Sequence, residues 1–120
     1  MSMLDWDGYR KQLAAAISEI AKTAPNLLAG YRMLATSRAK SGALDAKTRE
    51  LVALAVAVTV RCDGCITTHV DQARKQGATA DEITDALGIA VMVNAGAALV
   101  YSARTLDAFH SGDPAAAPGA

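Results

Sequence analysis

Apolar residues recur at offsets of four and three near the start of the chain, where Leu13, Ile17 and Ile20 alternate with Arg10, Lys11, Gln12, Glu19 and Lys22. This spacing predicts an amphipathic helix over residues 5–22, capped by Asp5 or Asp7. Thr23-Ala24-Pro25 ends it, because a residue before proline is pushed out of helical geometry. Pro25 suits the first turn of a second helix, predicted over 25–40 with Leu27, Leu28, Tyr31 and Leu34 facing inward and Ser41-Gly42 as its close.

The pattern then changes from a stripe to a continuous run. Residues 51–60 are nearly all apolar, so the helix predicted from Asp45 as cap to about Arg61 should be buried on several sides. Its valines would suit a strand, but the flank 46–50 and the alanines favour helix. A fourth helix is predicted over 62–76 with Gly77 as its stop. Thr79-Ala80-Asp81-Glu82 reads as a capping box and opens the longest helix, to about Phe109. The 18 residues 86–103 carry no charge, a length at the lower limit for a membrane span. Asn94, Gly88 and Gly96 interrupt that stretch, and the expectation is a subunit interface in which Gly88, Ala95, Gly96, Ala97 and Ala98 allow close helix approach. Asn94 either hydrogen-bonds across that interface or faces the site described next. His110 reads as a frayed helix end, and Trp6 and Tyr101 as core or interface residues.

These elements make an all-α chain, expected as one helical domain over 1–110 with a disordered Gly/Pro/Ala tail over 111–120. Composition agrees: of 120 residues 52% are hydrophobic but only 4% aromatic, so the core is aliphatic and alanine-rich, and so small a domain gains from the burial of a homo-oligomer. Lys plus Arg and Asp plus Glu each number 12, with no dense basic cluster. That argues against nucleic acid or an anionic membrane as the main partner. The acidic residues in Met1-Ser2-Met3-Leu4-Asp5-Trp6-Asp7 do not make a signal peptide, and a cytoplasmic setting is expected.

Chemistry concentrates in Cys62-Asp63-Gly64-Cys65-Ile66-Thr67-Thr68-His69, which holds both cysteines and one of the two histidines. Two thiols three residues apart close too short a loop to staple a fold, so they read as reactive or metal-binding. At a helix start the free backbone N–H groups favour a thiolate, which is the reactive form. Cys62, Cys65 and His69 share one helix face, and an imidazole four residues after Cys65 can take the thiol proton and return it to a leaving group. Glu50, leading into the apolar run, can hold that imidazole in one tautomer. Three bland readings stand beside this one. The cysteines can be inert buried residues; Cys62, Cys65 and His69 with Asp63 or Glu50 can bind zinc, although structural zinc usually draws on two separated segments; and Glu50 can be a first-turn acid serving the helix dipole or Lys47.

The pattern Glu50, eleven residues, Cys62-x-x-Cys65, three residues, His69 resembles the AhpD-like alkylhydroperoxidase branch of the carboxymuconolactone decarboxylase superfamily, over roughly residues 44–109. The resemblance implies an AhpD-like helical domain and a thiol-dependent peroxidase. Carried over position by position, it makes Cys65 the peroxide-attacking nucleophile, Cys62 the resolving thiol, and His69 with Glu50 the proton relay. It implies a hydroperoxide substrate and a dithiol or lipoyl-type reductant, with no metal, flavin or haem cofactor. Some members carry a second histidine where this chain has Gly64, which leaves the relay with one imidazole. Two alternatives remain: a protein disulfide reductase or thiol adaptor, and a non-redox small-molecule binding protein or lyase on the same scaffold.

Overall fold

Asp5, Asp45 and Thr79 each accept a hydrogen bond from a backbone N–H three residues on, and each opens a helix. The computed structural model describes residues 2–112 and Ala115. Among them are five helices and no strand: α1 (Trp6–Thr23), α2 (Pro25–Thr36), α3 (Ala46–Val60), α4 (Asp63–Lys75) and α5 (Ala80–Ser111). The all-α class is the one predicted. At α5 the predicted capping box is complete, with Glu82 N–H donating to Thr79 Oγ1 at 3.1 Å and Thr79 N–H donating to Glu82 Oε1 at 3.0 Å.

The helices form a chain of contacts: α2 on α1, α1 on α4, α4 on α3, and α3 on α5. Asp71 bridges the α1–α4 contact, 3.7 Å from Arg10 and 3.1 Å from Lys75. Lys47 Nζ lies 2.7 Å from Glu82 Oε2 and ties the start of α3 to the start of α5. Lys47 therefore serves Glu82, not Glu50.

Because each helix meets only its neighbours in this series, the protomer encloses little core. Among the described residues, Leu54, Ala57, Thr67, Ala73 and Ala90 are the buried ones. The radius of gyration is 20.5 Å, against about 14 Å for a compact domain of this length. Several predicted inward residues are consequently exposed. Leu27 and Tyr31 are each 63% accessible and Leu34 76%, leaving Leu28 half-buried on α2. Val52, Val56 and Val60 of α3 are also exposed. From Val91 to Phe109 every residue of α5 is exposed in the single protomer. α5 is long and apolar enough to cross a membrane by length and composition. That property alone does not mark a membrane protein, since a helix that packs against other copies meets the same criterion.

α2 is shorter than its pattern predicts, ending at Thr36 and not at Lys40. Ser37 turns extended, and arginines take the terminal carbonyls: Arg38 Nη1 donates to Ala35 O and Ser37 O, and Arg49 Nη2 donates to Ser37 O at 3.1 Å. Gly42, at φ +58°, belongs to a separate turn. Ser111 closes α5 and Gly112 caps it, so the helix runs into the predicted tail; apart from Ala115, the rest of that tail lies outside the described residues. His110 is a half-buried helical residue with its ring edge against Phe109, not a frayed end.

Hydrogen bonds hold three carboxyls below their ordinary values: Glu82 through Lys47 and then Thr79, Asp71 through Lys75, and Asp45 through Thr48. A depressed folded value means that the unfolded chain takes up the proton first, so this stabilisation is present above the ordinary values of 3.8 and 4.5 and is lost as pH falls through the lower folded ones. Lys47, raised mainly by Glu82, contributes below 10.5 and loses its share as pH rises beyond that. Thermal melts of Glu82→Gln should therefore lie below the parent at pH 7 and converge with it toward pH 3. An equal gap at both pH values would remove the Lys47–Glu82 bridge from the account.

Candidate active site

The site is built at the turn between α3 and α4. Arg61 is left-handed at φ 55°, and Cys62 N–H donates to Ala57 O at 3.1 Å across it. A non-glycine residue there costs about 1–2 kcal/mol, and it reverses the chain so that α4 returns along α3. Cys62 is then the N-cap of α4, its Sγ accepting from Cys65 N–H at 3.1 Å. The predicted helix start thus falls one residue later, at Asp63, and Cys62 is the capping group. Cys62 and Cys65 are joined by a disulfide, with Cα atoms 5.2 Å apart.

Packing α4 on α3 brings together residues 19 apart in sequence. His69 Nδ1 lies 2.7 Å from Glu50 Oε2, and both side chains are half-buried. A carboxylate can only accept, so this contact puts a proton on Nδ1 and, in the neutral ring, leaves Nε2 as the acceptor. His69 sits one turn beyond Cys65 on the same face of α4. A thiol pair, an imidazole of defined tautomer and its orienting carboxylate therefore share one locus, which is equipped for thiol ionisation and proton return. Among the described residues, no three His, Cys, Asp or Glu side chains are grouped to hold a metal ion.

Asn94 is hydrogen-bonded within the protomer. Its Nδ2 donates to Thr59 Oγ1 at 3.0 Å and to Ala90 O at 2.7 Å, so it pins α5 to the end of α3. Gly64 lies against Leu13 of α1. A Cβ there would stand 2.9 Å from Leu13 Cδ2 of α1, closer than carbon atoms tolerate. A histidine at 64 cannot share that space with Leu13 as it stands. Sequence reasoning did not find Leu13 as a neighbour of the thiols, because an apolar stripe shows that a face is covered but not by which helix.

Comparisons with known proteins agree with this architecture. Residues 24–108 match the model of the Carboxymuconolactone decarboxylase family. An uncharacterized protein of Haemophilus influenzae is 45% identical over 105 residues, covering 88% of this chain and 93% of its own length. Uncharacterized protein 4 in the cox locus of Paracoccus denitrificans is 34% identical over 93 residues, covering 78% and 84%. The crystal structure of an apo carboxymuconolactone decarboxylase family protein from Legionella pneumophila superposes with a TM-score of 0.70 at 38% identity, covering 88% of this chain and 95% of that one. With the match spanning the helices that carry the thiols, the imidazole and its carboxylate, the chain belongs to the carboxymuconolactone decarboxylase family.

Proposed function

We propose that this protein is a thiol-dependent peroxidase of the AhpD-like kind. The observation that carries the reading is the 2.7 Å Glu50–His69 contact beside a cysteine pair that closes a disulfide. His69 Nε2 accepts the Cys65 thiol proton. The Cys65 thiolate attacks the terminal oxygen of a hydroperoxide, forming the S–O bond as O–O breaks, and the alkoxide leaves with the proton held on His69. Cys62 thiol then displaces water from the Cys65 sulfenic acid, closing the disulfide. Two electrons and two protons from an external dithiol, of which a lipoyl-type group is one form, reopen it. No metal, flavin or haem enters any step, and the setting is the cytoplasm.

The test is peroxide-dependent consumption of a dithiol by the reduced protein, with free thiols counted alongside. Turnover, with each peroxide closing one disulfide, supports the reading. Accessible thiols that stay reduced in peroxide would sink it. One observation favours a second reading, as a disulfide reductase or thiol adaptor: Cys62 Sγ accepts a backbone N–H at a helix start, the setting of an exchange-active thiol. Exchange with a protein disulfide in the absence of any peroxide turnover would put that reading first.

The working form is proposed to be a homo-oligomer. The uncharged stretch 91–103 of α5 is exposed over about three and a half turns, more contiguous apolar surface than a soluble monomer ordinarily exposes, and further copies of the same chain supply matching surface.

A further inference from the structure

Between α1, α2 and α4 lies a groove of about 360 Å³, lined by Leu13, Ala14, Ile17 and Ala21 of α1, Arg32 of α2 and Thr68 of α4. This size lies at the small end of small-molecule sites, roughly 300–1,000 Å³. From Leu13 to Ala21 the α1 wall is about 12 Å long. It suits a single slender chain.

The groove reaches α4 at Thr68, one turn beyond Cys65. Leu13, which packs where a Cβ of Gly64 would stand, is also a groove wall. At about 100° per residue, α4 presents Gly64, Thr68, Cys65 and His69 in that order around its circumference. Cys65 therefore falls between the groove, with Thr68 about 60° to one side, and the proton relay, with His69 about 40° to the other.

The charge available in the groove has one sign. Arg10, at its margin, is engaged by Asp7 and Asp71. Arg32 has no such side-chain partner among the described residues: outside the helix's own backbone ladder, its hydrogen bond is made by its backbone carbonyl, which accepts from Thr36 Oγ1. A free guanidinium against aliphatic walls complements a carboxylate on an alkyl chain.

We infer that this groove binds the chain of a fatty-acid hydroperoxide, its carboxylate on Arg32 and its peroxide group at Cys65. This rests on the thiol-peroxidase reading and names the substrate class. Arg32 is a binding residue that touches the carboxylate and takes no part in the chemistry. Gly64 keeps the near wall open by leaving Leu13 its place.

The probes are octanoate, decanoate and 1-decanol, none of which is a peroxide, titrated into the full chain by calorimetry and amide chemical-shift mapping. Decanoate should bind more tightly than octanoate, by up to about fourfold per added methylene. Its shifts should centre on Leu13, Ile17 and Thr68. Arg32→Gln should weaken decanoate about fivefold and leave 1-decanol binding as it was. Equal weakening of acid and alcohol, no weakening of either, or shifts confined to α5 would overturn the inference, as would a groove closed to decanoate by a second copy of the chain. Because the probes carry no peroxide, a failed peroxidase assay leaves the binding result standing. Turnover of a small neutral hydroperoxide without decanoate binding would sink the groove alone.

Discussion

Cys65→Ser is expected to lower peroxide turnover by roughly 10³-fold or more, because a serine hydroxyl is not ionised near neutral pH and is a far weaker nucleophile than a thiolate. Cys62→Ser should behave differently. Without a resolving thiol the protein should consume about one peroxide per chain and stop, with a trappable sulfenic acid on Cys65. The two sulfurs have different advantages. Cys62 accepts the N–H of Cys65 at the helix start, whereas Cys65 shares its face with an imidazole oriented by Glu50. Peroxide attack needs a proton returned to the leaving oxygen, so the sulfur next to His69 should win. Single-turnover stopped-flow on the two serine variants decides it: a sulfenic acid forming on Cys62 in Cys65→Ser would exchange the roles. In the same assay His69→Gln should cost about 10²-fold or more. Glu50→Gln, which keeps a hydrogen-bond partner but removes the charge, should cost less.

Placing a charge at Leu99 should break the assembly. In the lone protomer Leu99 is 73% exposed, and a surface Leu→Glu change away from any contact would alter stability by no more than about 0.5 kcal/mol. In an apolar interface the same carboxylate would be buried without a partner, which costs several kcal/mol. Light scattering after size exclusion should therefore show Leu99→Glu at a lower mass than the parent, with an earlier thermal transition. Gly96→Leu makes the same point without charge. Nothing lies within 4 Å of where its Cβ would stand, so in a monomer the change should stabilise α5 by about 0.5–1 kcal/mol through helix propensity. In an interface built on close approach it should separate the helices. A monomeric parent would refute the homo-oligomer, and an oligomeric parent with unchanged mass in both variants would remove α5 from its interface.

Expectations for burial failed on α2 and α3. Leu34 of α2 and Val56 of α3, expected inside the fold, are exposed in the protomer, whereas Val100 lies on α5, which was expected at a subunit interface. Hydropathy is indifferent to whether the covering surface belongs to the same chain or to another copy. The shortened α2 has a different cause. Its end depends on Arg49, 12 residues beyond Ser37 in sequence, reaching back to the Ser37 carbonyl, and local propensity contains no such information.

What the sequence determined by itself was local or periodic. The Asp45 and Thr79 caps, the proline start of α2 and the spacing that puts Cys65 and His69 on one face follow from interactions within four residues, where backbone geometry leaves few alternatives. Glu50 was legible as a partner for His69 through chemistry and the family pattern, but the 2.7 Å contact exists only because left-handed Arg61 folds α4 back along α3. Tertiary structure alone decided that Asn94 holds Thr59, that Leu13 occupies the space over Gly64, and that the unpaired Arg32 stands across a groove from α1. Each joins helices far apart in the chain, and such meetings are set by the crossing of packed helices, which neither periodicity nor propensity specifies.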